Sequence, residues 1–196
     1  MGRKQQRGEA TVEQVLDAAL CVYAARGEQG LTVSAVTEAS GVSPGSLYHH
    51  FGSLEGLLDA LTMRWLGRLL DALATALEPA RTARAGVRAL VRAYFAFVRE
   101  HPEAARLVHS ARADHHGMGH AGEIRDFQQV RISSIAGWIG ARQAAGELAP
   151  LPGPLIESLV LGPVVGAARR WIAVGDIDLD EALRTLPERI WRSVAP

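Results

Sequence analysis

Seven histidines and a single cysteine are the first residues in this chain whose chemistry could be put to use. Four of the histidines crowd one stretch: His109, His115, His116 and His120, with Asp114 among them. Imidazoles and a carboxylate can bind zinc or nickel, and around a bound water such a set would serve an all-α metal-dependent enzyme. The surrounding "ADHHGMGHAGE" is rich in glycine, however, whereas a metal site needs its ligands held in place. It is read as a solvated loop between helices, with no metal and no cofactor. Cys21, alone in "AALCVYAA", has no second cysteine for an intrachain disulfide or a zinc site and is expected to be a buried structural thiol. Glu157 with Arg169 or Arg170 lacks the spacing of an acid and base pair, and no nucleophile stands beside a base with an orienting partner. The chain is read as a non-enzyme.

A second constellation, "SPGSLYHHF" at residues 43–51, suits recognition rather than catalysis. Ser43 can cap a helix that has Pro44 at its first position, where a proline loses no hydrogen bond. Leu47 and Phe51, four apart, face inward, so Gly45, Ser46, Tyr48, His49 and His50 are left mostly outward. Before it, Thr32 can cap a short helix with Val33, Val36 and Thr37 as its buried positions, and Gly41 permits a sharp turn between the two. Two short helices meeting at a glycine-centred turn, between a supporting helix and a packing helix, are the parts of a helix-turn-helix. Its second helix enters a major groove, and that helix's free N-terminal amides can face phosphate, with Pro44 and Gly45 leaving the end sterically open.

The elements that must position this motif are helical. Residues 1–9 read as a flexible arm in which Arg3, Lys4 and Arg7 cluster. Thr11 and Gln14 have the spacing of a capping box that would start the first helix, and Val12, Val15, Leu16, Ala19 and Tyr23 follow one face until Gly27 and Gly30. Ser53 can cap a long fourth helix along which Leu54, Leu57, Leu58, Leu61, Trp65, Leu69, Leu73 and Leu77 recur. Val87, Leu90, Val91, Tyr94, Phe95 and Val98 mark another helix. A further stripe holds Ile124, Phe127, Ile135, Trp138 and Ile139, and "GELAPLPGP" is a turn. Residues 155–174 are apolar nearly all round, with Pro163 expected to kink the helix. Asp178 to Glu181 resembles a capping box for a last helix carrying Leu183, Leu186, Ile190, Trp191 and Val194. No alternating run is long enough for a sheet. The fold class is all-α with about nine helices, divided into residues 1–52 and 53–196.

The stretch "LTVSAVTEASGVSPGSLYHHFGSLEGLL" resembles the DNA-binding domain of the tetracycline-repressor-like (TetR) family of transcriptional regulators. The resemblance covers about residues 11 to 60, with Gly41-Val42-Ser43, Leu47-Tyr48 and Phe51 in family register. It implies backbone contacts from Thr32, Ser43, Tyr48 and His50, with Gly45, Ser46 and His49 near bases. Where the family usually carries a lysine just after the fourth helix's cap, this chain has Leu54. It also implies that the fourth helix links the reading head to a ligand-binding domain and that the last two helices form a homodimer.

Charge qualifies that picture. The whole chain balances 21 basic against 21 acidic residues, and residues 1–56 are net negative, with Arg3, Lys4, Arg7 and Arg26 outnumbered by Glu9, Glu13, Asp17, Glu28, Glu38 and Glu55. DNA binding would then lean on the basic arm, helix N-termini and local hydrogen bonds rather than on a broad basic patch. The small residues Gly162 and Gly166, followed by Trp171 and Trp191, suit a dimer seam. Its expected members are Leu159, Pro163, Gly166, Arg170, Trp171, Leu183, Ile190 and Trp191. Trp65, Tyr94, Phe97, Phe127 and Trp138 are candidate lining for a mainly apolar effector. No apolar run is long enough to span a membrane. The expected setting is the cytoplasm, and the expected partners are a palindromic duplex operator, a small-molecule effector and a second copy of the chain. A DNA-binding dimer without a small-molecule ligand is the alternative.

Overall fold

The computed structural model describes residues 3–110 and 128–196, with side chains from residue 6 onward. Among the described residues there are nine helices and no strands: α1 (Arg3–Gly30), α2 (Val33–Ser40), α3 (Pro44–Phe51), α4 (Leu54–Leu77), α5 (Ala83–Glu100), α6 (Pro102–Val108), α7 (Gln129–Ala144), α8 (Gly153–Ala173) and α9 (Leu179–Val194). The all-α expectation holds. The chain divides into two compact units, Met1–Trp65 and Leu66–Pro196, and the division falls inside α4.

In the first unit, α1 buries Val15, Leu16, Ala19 and Val22 along one stripe. It begins at Arg3, so residues 3–9 are helical rather than a flexible arm. Lys4, Gln5, Gln6, Arg7 and Ala10 are good helix formers, and they carry the helix through the expected capping box. Thr11 instead donates its hydroxyl to the Arg7 carbonyl at 2.9 Å, and Gln14 donates its amide to the Ser40 carbonyl at 2.7 Å, tying α1 to the end of α2. Cys21 lies off the buried stripe and is exposed, which corrects the expectation of a buried thiol. At Gly27 a left-handed φ of 69° breaks the helix before the chain turns into α2. Arg64, in α4, has a side chain only 10% exposed and reaches Glu13 and Asp17, one turn apart on α1, at 2.8 Å each.

In the second unit α5 packs on α8 and α9, with Val87, Leu90, Val91, Tyr94, Phe95 and Val98 all buried as the stripe predicted. Thr82 caps α5 by accepting from the Ala85 amide at 3.2 Å. The last turn of α7 and the connector that follows it reinforce that start: Glu147 accepts from the Ala83 amide at 2.6 Å, and Arg142 donates to the Arg81 carbonyl at 2.6 Å. The Ala149 amide of the same connector donates to the Val194 carbonyl at the end of α9, at 2.9 Å.

Pro163 sits inside α8, which runs unbroken from Gly153 to Ala173. That helix is not apolar to the core all round. Ile156, Val160, Val164, Ala167 and Ala168 are buried, whereas Leu155, Gly162, Pro163, Gly166, Arg170 and Ala173 are exposed. Asp178 caps α9 by accepting from the Asp180 and Glu181 amides at 2.7 and 3.4 Å. Pro187, a second helix-interior proline, is buried within α9.

Candidate nucleic-acid interface

The helix-turn-helix forms as its local chemistry requires. Thr32 adopts extended backbone and accepts from the Ala35 amide at 3.1 Å, satisfying one free donor at the start of α2. Gly41 ends α2 in the left-handed region, φ 69°, and donates to the Thr37 carbonyl at 2.9 Å. The Ser40 hydroxyl accepts from the Val42 amide at 3.2 Å, so the turn is held from inside as well. Ser43 then caps α3 through the Ser46 amide at 3.3 Å, with Pro44 in the first turn.

The shared core of α2 and α3 is built on Val36 and Leu47, both fully buried. Burial in α2 falls on Ala35, Val36 and Ser40. Val33 and Thr37, expected inside, are half-buried, and the Thr37 hydroxyl donates to the Ser34 carbonyl at 3.1 Å. The predicted face was therefore rotated toward the Ser40 side. Phe51 is likewise only half-buried.

With Leu47 inward, α3 turns its other residues to solvent. Ser43, Pro44, Gly45 and His49 are exposed, Ser46 and His50 are half-buried, and the Tyr48 ring is 50% exposed despite its size. A methyl group at Gly45 would meet nothing within 4 Å, so the backbone at the start of α3 is open to close approach. The rings of His49 and His50 meet edge-on at 5.2 Å between centroids. The N-terminal turns of α1 reach the same region, because a methyl group at Gly8 would lie 3.8 Å from the His50 ring. Arg7, its neighbour, is exposed, and Arg3 and Lys4 belong to the same helix. Thr32 is exposed at the start of α2. The motif thus offers a capped helix end with free amides, a phenol and two imidazoles, suited to phosphate oxygens and base edges.

The sequence did not reveal the supports beneath this face. At Gly56, in the first turn of α4, a methyl group would lie 2.2 Å from the Phe51 carbonyl oxygen, so the ends of α3 and α4 meet backbone to backbone. Ser53 caps α4 through the Gly56 amide at 2.9 Å, as predicted. Only a glycine three residues after a predicted cap hinted at this closeness.

The residues proposed for an effector do not form one described group. Trp65, in the first unit, is buried, and Phe127 lies outside the described residues. In the second unit Tyr94 and Phe97 are buried along α5. The Tyr94 hydroxyl is 3.0 Å from His109 Nε2, and the Phe97 ring meets His101 edge-on at 5.2 Å. Burial pushes the Tyr94 phenol well above its usual range, with the Arg169 guanidinium opposing. Trp138 packs instead on Gly86, two turns earlier on α5; a methyl group there would lie 2.1 Å from its ring. His115, His116, His120 and Asp114 lie outside the described residues.

Of the residues expected at a dimer seam, Pro163, Gly166 and Arg170 are exposed on α8, and Leu159 is half-buried one turn earlier. Trp171, Leu183 and Trp191 are half-buried as well. Ile190 is only 2% exposed within the protomer and is a core residue, because it follows Leu179 and precedes Val194 on the inward stripe of α9.

Residues 15–61 match the family model described as bacterial regulatory proteins, tetR family. The chain is 41% identical over 81 residues to the HTH-type transcriptional regulator BetI of Rhizobium meliloti (strain 1021), covering 41% of this chain and 40% of that protein. It is 35% identical over 78 residues to the HTH-type transcriptional repressor KstR2 of Rhodococcus jostii (strain RHA1), covering 40% and 38%. The matched stretch thus spans about two fifths of each of these curated relatives. The fold likeness extends further: a TetR family transcription regulator from Marinobacter aquaeolei VT8 superposes with a TM-score of 0.75 over 97% of this chain and 98% of that one, at 24% identity. The reading motif is thus similar in sequence to the tetR family of bacterial regulatory proteins over residues 15–61, and the helical fold matches that of a solved TetR family regulator along almost its whole length.

Proposed function

We propose that the chain is a DNA-binding transcriptional regulator that acts as a homodimer, represses from a roughly palindromic operator in the cytoplasm, and is released by a small, mainly apolar effector. The observation that carries this reading is the solvent-facing side of α3, with Ser43 capping its start, Gly45 open, and Tyr48 and His49 exposed. A helix so placed suits a major groove, and a dimer would present two of them to half-sites one or more helical turns apart. The contacting residues in this reading are Thr32, Ser43, Pro44, Gly45, Ser46, Tyr48, His49 and His50, with Arg3, Lys4 and Arg7 contributing charge from the start of α1.

The exposed side of α8 supports the dimer. Leu155, Leu159, Gly162, Pro163, Gly166 and Arg170 recur at helical spacing there, and a copy of the same face would cover their apolar surface. Effector binding in the second unit would favour a dimer whose two reading helices are mis-spaced, with α4 as the lever. A coupling of about 2 kcal/mol lowers operator affinity roughly thirtyfold.

The deciding experiment is a mobility-shift titration of the full chain against duplexes from its own upstream region, with footprinting of the bound site. A twofold-symmetric footprint is expected. Removing residues 2–8 should weaken binding and flatten its salt dependence, because fewer counterions are released. Failure to retard any of those duplexes overturns the regulator reading. Light scattering tests the dimer: Gly166→Arg, at an exposed position where a Cβ would meet nothing within 4 Å, should halve the mass without unfolding the chain. A thermal-shift screen of small lipophiles tests the effector, since a ligand of the native state raises its melting temperature. If no lipophile shifts the melt while the operator is still bound, the chain is a dimer without a ligand.

A further inference from the structure

Along the seam between α5 and α9, opposite charges are matched at both ends. Arg84 meets Glu188 at 2.7 Å and Arg99 meets Asp180 at 2.5 Å, so the two helices run antiparallel. Between those pairs the matching fails. Arg92 of α5 and Arg184 of α9 line one solvent-open groove of about 490 Å³, together with Ala96, Arg99, Asp180 and Leu183. Neither Arg92 nor Arg184 makes an ion pair or hydrogen bond among the described residues. Arg88, one turn before Arg92, is also without one; it lines the neighbouring depression with Thr82, Arg84 and Ala85.

Two guanidiniums on one groove repel each other, and the carboxylate that lines the groove, Asp180, is engaged by Arg99. A bound anion would remove that repulsion and fill the missing step in the charge pattern. A guanidinium presents a planar fork of donors that fits the two oxygens of a phosphoryl or carboxylate group side by side. Ala96 and Leu183 add apolar surface, so the groove suits a small molecule with an anionic head and some nonpolar body. We propose that this groove binds a small oxyanion-bearing molecule, with its phosphoryl or carboxylate group held between Arg92 and Arg184 and with Arg99 at the rim. The site is separate from the reading face and stands whether or not the operator reading does.

Calorimetric titration of the full chain with inorganic pyrophosphate and, separately, with citrate, at an ionic strength fixed by chloride, tests the site and distinguishes phosphoryl from carboxylate recognition. Saturable binding of at least one of them is expected. Arg92→Gln and Arg184→Gln should each weaken it by about tenfold or more, because each removes a charge-assisted contact. Asp180→Asn should strengthen it by freeing Arg99, and Arg189→Gln, away from the groove, should leave it unchanged. In the absence of the anions, neither groove variant should melt below the parent chain, since each relieves repulsion. Absence of saturable heat with both probes overturns the proposal, as does binding that survives in both groove variants.

Discussion

Replacing Gly56 by alanine tests how closely the end of α3 is set against the start of α4. The new methyl would sit 2.2 Å from the Phe51 carbonyl oxygen, closer than real side chains come to any atom. That oxygen is not free to swing away, because it accepts from the Ser53 amide at 2.8 Å. The adjoining Gly52 amide donates to the Tyr48 carbonyl at 2.9 Å. Relief requires a backbone shift on the order of 1 Å, and overpacking of this kind costs about 1–3 kcal/mol. Alanine in place of a helical glycine returns at most about 1 kcal/mol. The net is a loss of up to about 2 kcal/mol, or up to roughly 8 °C in melting temperature for a chain of this size. Gly137→Ala is the matched control. It lies within α7, is exposed and would meet nothing within 4 Å, so it should gain about 0.5–1 kcal/mol. Thermal unfolding followed by circular dichroism reads both signs, and operator titration should show weaker binding for Gly56→Ala alone. If Gly56→Ala melts at or above the parent chain, the backbone contact between the two helix ends does not constrain α3.

Other perturbations follow from single contacts. Gly41→Ala forces a side chain into the left-handed region and should cost about 1–2 kcal/mol in chemical denaturation; an unchanged midpoint would mean that the turn relaxes freely. Arg64→Met leaves Glu13 and Asp17 without their cation and should lose about 1 kcal/mol, because the partners are more than half exposed while the arginine stem is packed. That loss should shrink at high salt, and one that ignores salt would assign the effect to packing alone. Glu147 is held below the usual carboxylate range, first by the Ala83 amide and also by Arg142. A depressed acid contributes stability above its unfolded value that disappears as pH falls through its folded one. The advantage of the parent chain over Glu147→Gln should therefore be present at neutral pH and vanish on acidification. Equal melting curves for the two at neutral pH would exclude it.

The parts of this fold that could be read from the residues are those decided within a few positions of chain. Thr32, Ser43, Ser53 and Asp178 each cap the helix that follows, because a short side chain two or three residues before a free amide has few other options. The parts that escaped depend on partners distant in sequence. Thr11 and Gln14 have the spacing of a cap, yet the good helix formers before them keep the helix going and Gln14 spends its amide on Ser40, 26 residues away. Helical spacing correctly placed Tyr94 and Phe95 inward, but it cannot say that Trp138 will lie on Gly86 rather than beside them. Nor could it say that Ile190 faces the protomer core instead of a second copy. The groove between Arg92 and Arg184 arises only when two helices lie antiparallel, so neither helix alone reveals it.

The connector between α7 and α8 has a practical consequence for anyone engineering this chain. With its prolines and exposed positions it looks like the natural place to splice in a fluorescent reporter or to introduce a protease cleavage sequence. Glu147 and Ala149, however, fasten it to the beginning of one distant helix and the close of another. A graft placed there would pull on both at once, whereas a graft in the exposed turn after Leu77 that avoids Arg81 and Thr82 would leave those fastenings alone.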